Sequence, residues 1–259
     1  MHAVEVEHLT KVYPPSTGGS TPRHALDSID FEVDAGEIVA LVGPNGSGKS
    51  TLLKLIAGIS EPSEGICRIF GVPATQPGAR ARIAYLPENP AFNPRSSARA
   101  VAAFFGRLGG ATARAAGALA DEVLDEVGLS WDRDRKEETF SRGMRQRLGL
   151  AAVLALRPAL LLLDEPTEGI DLVGLGEFDR IVARFRKSGG TVLFTSHRLE
   201  RLERVCDRVV LLVDGHLRMQ GRPAELIRGG AGRLSATEGG GGLEKAFLLE
   251  VARCRGGRE

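Results

Sequence analysis

Residues Gly43-Pro44-Asn45-Gly46-Ser47-Gly48-Lys49-Ser50, with Thr51 next, have the spacing G-x-x-x-x-G-K-[ST]. Each residue type has a task in holding a phosphate chain. Glycines let the backbone curl until successive N–H groups converge on one anion. A helix that starts there adds the positive end of its dipole. Lys49 brings a mobile point charge to the β- and γ-phosphates. Ser50 offers a hydroxyl, a hard oxygen ligand for Mg2+. A second constellation is Leu160-Leu161-Leu162-Leu163-Asp164-Glu165, an apolar run ending on two carboxylates. As a buried strand it would set both acids at the carboxyl edge of an α/β sheet, where such sheets bind ligands. Asp164 would contact the metal, directly or through water. Glu165 would accept a proton from the attacking water or orient it. Taken alone, the pair also reads as solvated acids capping the next helix; the phosphate loop favours the first reading. No Ser-His-Asp or Cys-His arrangement of comparable clarity is visible.

The elements that must position these residues are set by the hydrophobic pattern. Ile38 to Val42 is apolar on both faces, the pattern of a strand inside a parallel sheet. It runs into the Gly-rich loop, and Ser50 to Ala57 reads as a helix stopped by Gly58. Earlier, Ala3 to Glu7 and Ile29 to Val33 alternate, which predicts half-buried antiparallel strands. Pro14 to Pro22 is turn chemistry and predicts an exposed loop between them. From Ser96 to Leu156, Ala, Leu, Arg and Glu dominate and strand patterns vanish. Leu119, Val123, Leu124 and Val127 recur at helical spacing, with Gly128 ending that helix. Strands return at Leu160–Leu163, Thr191–Phe194 and Val209–Val213, separated by helix-like stretches. The pattern predicts an α/β fold: a phosphate-loop core of mostly parallel sheet, an antiparallel N-terminal β subdomain and an inserted helical subdomain. The expected division is a phosphate-loop domain over 1–225, with core 1–88 and 158–225 and helical insertion about 89–157, then a Gly-rich linker and short helical tail over 226–259. Gly239 to Gly242 reads as flexible linker and Leu243 to Ala252 as a short helix.

Composition narrows the partners. The chain has 259 residues, with 34 Lys plus Arg against 33 Asp plus Glu, a formal net charge of +1. That balance argues against a polyanion binder, so no nucleic-acid partner is expected. Cys67, Cys206 and Cys254 lie far apart and form no Cys-x-x-Cys pair, which argues against a zinc site or disulfide scaffold and fits a reducing compartment. The most apolar stretch, Leu148 to Leu163, is interrupted by Arg157 and Pro158. A spanning helix needs about 20 mostly apolar residues, so no direct membrane insertion is expected. Met1 to Glu7 has no basic patch leading into an apolar run, so no secretory signal is expected either.

With these motifs in hand, the chain resembles the ATPase subunit of an ABC transporter over about residues 3–225. The separating element is Phe140-Ser141-Arg142-Gly143-Met144-Arg145-Gln146-Arg147-Leu148, which is similar to the family signature Leu-Ser-Gly-Gly-Gln followed by Arg-Gln-Arg-Leu. Ser141 is a good N-cap for the helix that comes next, and a hydroxyl with a Gly at a helix start makes an anion site. The resemblance implies that Ser141 and Gly143 face the γ-phosphate held by a second subunit. It implies that Tyr13 stacks on adenine, though a tyrosine at a strand end also reads as partly buried structure. It places Glu168-Gly169-Ile170-Asp171 in a loop touching the opposite subunit; Asp171 also reads as a helix cap. It makes His197 the switch histidine, reaching a γ-phosphate oxygen.

The sequence departs from the family pattern at three places. Glu88, in Tyr85-Leu86-Pro87-Glu88, stands where many members have Gln, and a carboxylate there can still ligate Mg2+ or hold water. Arg142 replaces the first Gly of the signature, and Met144 its Gln. The Leu-Pro-Glu and Ser-x-Gly-Met-x-Gln-Arg variants resemble export-type ATPases of the drug, polysaccharide and gliding-motility kind. They also resemble the ATPase of the copper-site maturation system of nitrous oxide reductase. The resemblance implies an ATPase that uses ATP and Mg2+. Such a subunit works as a homodimer or paired subunit on membrane permease subunits, and lies in the cytoplasm on the inner face of the cell membrane. An ABC-type ATPase acting in DNA repair or translation is the alternative. The repair type carries long coiled-coil arms and the translation type two ATPase domains, and neither is visible here.

Overall fold

The computed structural model describes residues 1–15, 21–231 and 242–256. Part of the expected Pro14–Pro22 loop, 16–20, and most of the expected Gly239–Gly242 linker lie outside the described residues. The chain begins with β1 (His2–Tyr13), β2 (Arg23–Asp34) and β3 (Ile38–Val42), then α1 (Lys49–Ile56). Next come β4 (Glu64–Ile69), β5 (Val72–Pro73), the short α2 (Pro77–Arg80) and β6 (Ile83–Leu86). Three helices then run without a strand: α3 (Ala98–Leu108), α4 (Ala113–Glu126) and α5 (Arg142–Ala155). The second half runs β7 (Leu160–Leu163), α6 (Leu172–Lys187), β8 (Thr191–Ser196), the short α7 (Leu202–Val205), β9 (Arg208–Val213) and β10 (His216–Gly221). It ends with α8 (Pro223–Ala231), which crosses the expected boundary at 226, and α9 (Leu243–Gly256).

Two sheets form. One is antiparallel in the order β2-β1-β4-β5, and the other is six-stranded in the order β10-β9-β3-β8-β7-β6. Within the second sheet every pair is parallel except β9 with β10. Its central strands are apolar throughout because both faces are covered. From β3, Ile38, Ala40 and Val42 join the core packed under the helices, whereas Val39 and Leu41 join the core under the antiparallel sheet. β7 splits the same way, Leu161 and Leu163 against Leu160 and Leu162. The period of two in a strand thus joins two hydrophobic cores through one sheet.

The helical segment between β6 and β7 is built from local signals. Ser97 caps α3 by accepting from Ala100 N–H, and Thr112 caps α4 by accepting from Ala115 N–H. Gly128 adopts φ 70° just past α4, as a helix stop requires. Leu119, Val123, Leu124 and Val127 are buried together with Leu148 and Leu150 of α5, so the helical spacing in the sequence does mark a core face.

Candidate functional site

The strand order decides which loops meet. β3, β8 and β7 are neighbours and parallel, so their carboxyl ends lie side by side. The loop after β3 carries Gly43 to Gly48, the residue after β8 is His197, and β7 runs into Asp164 and Glu165. These ends border a cavity of about 630 Å3 lined by Arg23, Asn45, Gly46, Gly48, Lys49, Ser50, Thr51, Glu88, Glu165, Glu168 and His197.

The phosphate loop is shaped by its glycines. Gly43 has φ 156°, and a Cβ there would stand 2.1 Å from the Leu212 carbonyl oxygen. Gly48 has φ 107°, and a Cβ there would stand 2.5 Å from the Ala25 carbonyl oxygen. Any side chain at either position would push the loop off β2 and β9. Gly48 is also the N-cap of α1 and offers no side-chain acceptor, leaving the first-turn N–H groups for an anion. Ser47 Oγ is buried without a hydrogen-bond partner among the described residues. Lys49 is 7% exposed, and its Nζ donates to the carbonyls of Gly43 (2.8 Å) and Pro44 (3.1 Å). Burial holds the Lys49 ammonium below the ordinary lysine range, against the opposing pull of Glu165 and Asp164.

At the acidic end, Asp164 is 4% exposed and is held from three sides. Ser50 Oγ donates to its Oδ1 at 3.1 Å, Thr195 Oγ1 to the same oxygen at 2.9 Å, and Tyr85 OH to Oδ2 at 3.4 Å. Burial, then the charge of Asp164, pushes the Tyr85 phenol above its ordinary range, so it stays a donor. Glu165 has φ 45°, an unusual backbone for a side chain of its length. Its N–H donates to Thr195 Oγ1 at 2.6 Å, so one threonine ties both acids to β8. Glu165 Oε2 lies 2.9 Å from Nδ1 of His197, and Nε2 of His197 lies 3.6 Å from Oε2 of Glu168.

The oxygens of Ser50 and Asp164 form a hard donor pair that fits Mg2+, which keeps several waters and takes its remaining ligands from substrate phosphates. Glu88 lines the same cavity, on an exposed loop. Among the described residues no group of three or more His, Cys, Asp or Glu side chains could hold a metal unaided. Such a donor set fits a metal delivered with its nucleotide.

Of the sequence-predicted residues, Gly43, Pro44, Ser47 and Asp164 adjoin the lining in sequence without being part of it, and Tyr13, Ser141 and Gly143 also stand outside it. Tyr13 ends β1, with Lys11 Nζ 5.1 Å from its ring centre, and pairs in register with Arg23. Ser141 caps α5, its Oγ accepting from Met144 N–H at 3.3 Å, and Gly143 lies in the first turn. Arg142 pairs with Glu168 at 3.6 Å, which gives that departure from the family signature a partner within the chain. Asp171 caps α6 by accepting from Gly174 N–H at 2.8 Å. Glu168, which the resemblance put in a loop touching a second subunit, lines the cavity. Arg23, Tyr85 and Thr195 belong to the site but carry no spacing signal. Only the Thr195-Ser196-His197 run at a strand end hints at one of them.

Fold and site together define a phosphate-loop nucleoside triphosphatase with a helical insertion between its β6 and β7 strands. A model of the ABC transporter family matches residues 26–168. The uncharacterized ABC transporter ATP-binding protein YxlF of Bacillus subtilis (strain 168) is 36% identical over 86% of this chain and 72% of its own length. The linearmycin resistance ATP-binding protein LnrL of the same organism is 32% identical over 96% of this chain and 78% of its own. A dimeric, post-hydrolysis ATP-binding cassette, MJ0796, bound to ADP and Pi superposes with a TM-score of 0.77 at 25% identity, covering 85% of this chain and 98% of that one. The chain belongs to the ABC transporter family, as an ATP-binding and ATP-hydrolysing subunit. Among the described residues no helix is long and apolar enough to cross a membrane.

Proposed function

We propose that two copies of this chain close head to tail around two ATP molecules and thereby drive a separate membrane permease of the export type. The supporting observation is that Lys49, Ser50, Glu165 and His197 line one cavity, whereas Ser141 and Gly143 open α5 outside that lining, next to Glu168 through Arg142. A second copy would bring its Ser141 and Gly143 to the first copy's triphosphate, and the reverse, about one two-fold axis. LnrL is named for linearmycin resistance, which supports the export reading. In this reading residues 1–225 are the ATPase domain, with helical insertion about 89–157, and 226–259 are linker and tail. The insertion and the loop around Glu88 to Pro94 would contact the permease.

Within one site, Gly43 to Thr51 would wrap the phosphates, with Lys49 leaving the loop carbonyls for the β- and γ-oxygens. Tyr13 would stack on adenine. Ser50 and Asp164, with Glu88 directly or through water, would hold Mg2+, whose chemistry is to neutralise charge on the β- and γ-oxygens. Glu165 would take a proton from the water that attacks the γ-phosphorus, the bond to the β–γ bridging oxygen would break, and ADP and phosphate would part. His197, oriented by Glu165, would polarise a γ-oxygen. Catalysis is then positioning and charge stabilisation. Loss of the γ-phosphate would remove the anion that joins the two copies. The test is Glu165→Gln with ATP on a sizing column: a stable dimer is expected, and a monomer at every ATP concentration would overturn the model.

A further inference from the structure

The cavity that should take a triphosphate is lined by more negative side chains than positive ones. Glu88, Glu165 and Glu168 face two cations, Arg23 and Lys49. Asp164, buried just beneath, adds a further carboxylate. A nucleotide triphosphate with Mg2+ still carries negative charge, so the loop N–H groups and Lys49 would work against these carboxylates.

Arg23 is the second cation, and its place is fixed by strand pairing. It opens β2 directly across from Tyr13 in the β1–β2 register. A Cβ built on Gly46 would stand 3.9 Å from Nη2 of Arg23, so the guanidinium lies against the open side of the phosphate loop. Its side chain is in an exposed position and makes no hydrogen bond or ion pair among the described residues. Arg208, by contrast, is tied to Glu37 at 2.8 Å. A planar fork of donors suits phosphate oxygens.

We propose that Arg23 is a phosphate-binding residue of the nucleotide site, clamping the phosphate chain from the β2 side opposite Lys49. The inference rests on the nucleotide-site reading above and assigns one residue that no motif names. Arg23 Nη2 is the one atom within 4 Å of a Cβ built on Gly46, at ordinary contact distance, so the guanidinium stands beside the loop that would wrap the phosphates. Arg23 then supplies the positive charge that the acidic lining withholds, and it reads phosphate rather than base.

The experiment compares wild type, Arg23→Ala, Arg23→Lys and Lys49→Ala as full chains. It measures KM and kcat for MgATP, and inhibition by inorganic tripolyphosphate, which has neither base nor ribose. Arg23→Ala should raise KM and weaken tripolyphosphate inhibition by the same factor, roughly tenfold, with a smaller effect on kcat. Arg23→Lys should recover part of both. Unchanged constants for Arg23→Ala overturn the proposal. So does a raised KM with unchanged tripolyphosphate inhibition, which would move Arg23 to the base or ribose. If Lys49→Ala abolishes binding while Arg23→Ala does nothing, this inference alone falls. If Lys49→Ala binds and turns over ATP like wild type, the reading of the whole site falls with it.

Discussion

Nδ1 of His197 lies 2.9 Å from Oε2 of Glu165, and the two residues come from the ends of adjacent parallel strands, β8 and β7. An ionised Glu165 makes Nδ1 the donor and fixes the ring's orientation. The two should therefore fail differently. Glu165→Gln keeps the hydrogen bond but removes the proton acceptor. Turnover should fall by about 100-fold or more while ATP affinity stays close to wild type. His197→Ala should slow hydrolysis with little change in affinity. Single-turnover hydrolysis alongside equilibrium binding of a fluorescent ATP analogue checks both. Equal losses of rate and affinity in His197→Ala would give the ring a purely structural part.

Thr195 is fully buried and serves two acids with one hydroxyl, accepting from Glu165 N–H and donating to Asp164. Thr195→Val keeps the shape but strands the Glu165 N–H and removes a partner of Asp164. A stability loss of about 1–3 kcal/mol is expected from the unmade bonds. Glu165 at φ 45° would also lose the anchor that holds it, so turnover should fall further than stability explains. Thr195→Ser should retain both. Urea midpoints and ATPase rates of the two variants provide the measurement.

How legible this site is in the sequence depends on whether local pattern or tertiary register places each residue. β3 and β7 are apolar on every residue because both faces are buried, so Ile38–Val42 and Leu160–Leu163 stand out together with the loop and acids beyond them. The caps Ser141 and Asp171 are readable because capping is a three-residue event. β4, β5, β6 and β10 carry no comparable signal. β5 has two residues and β6 four, and β10 is an antiparallel edge with half-exposed, mixed side chains. Arg23 reaches the cavity through a β1–β2 register containing several irregularities, which no periodicity announces. Glu168 and Arg142 meet because α5 begins beside the turn after β7, a contact made between elements rather than within one.

Glu126 offers a test of electrostatics away from the site. Burial lifts its carboxyl above the ordinary range, Arg184 at 3.3 Å opposes the lift, and Glu122 adds to it. The folded state therefore holds the proton more tightly than the unfolded state does. The ionised side chain costs stability above its raised folded value, and that cost disappears as pH falls below the unfolded value of about 4.3. Glu126→Gln should stabilise the protein at neutral pH, with the gain shrinking as pH falls through the carboxylate range. Denaturant midpoints at neutral pH and in acid would show it, and a gain independent of pH would point to packing instead.

The head-to-tail arrangement makes a prediction that a self-contained site does not share. Lys49→Ala spoils the phosphate loop but leaves Ser141 intact, and Ser141→Ala does the reverse. Each variant alone has two damaged sites in its dimer and should be nearly inactive. In a mixed dimer one site pairs the intact loop of one copy with the intact Ser141 of the other, while the second site carries both lesions. With random exchange half of the dimers are mixed, so an equal mixture should regain about a quarter of wild-type turnover. Loss of the Ser141 cap should cost about 1 kcal/mol, too little to unfold a domain of ordinary stability, and thermal midpoints of the separate variants control for it. A mixture no more active than its two components would mean that Ser141 serves the nucleotide of its own chain, or none.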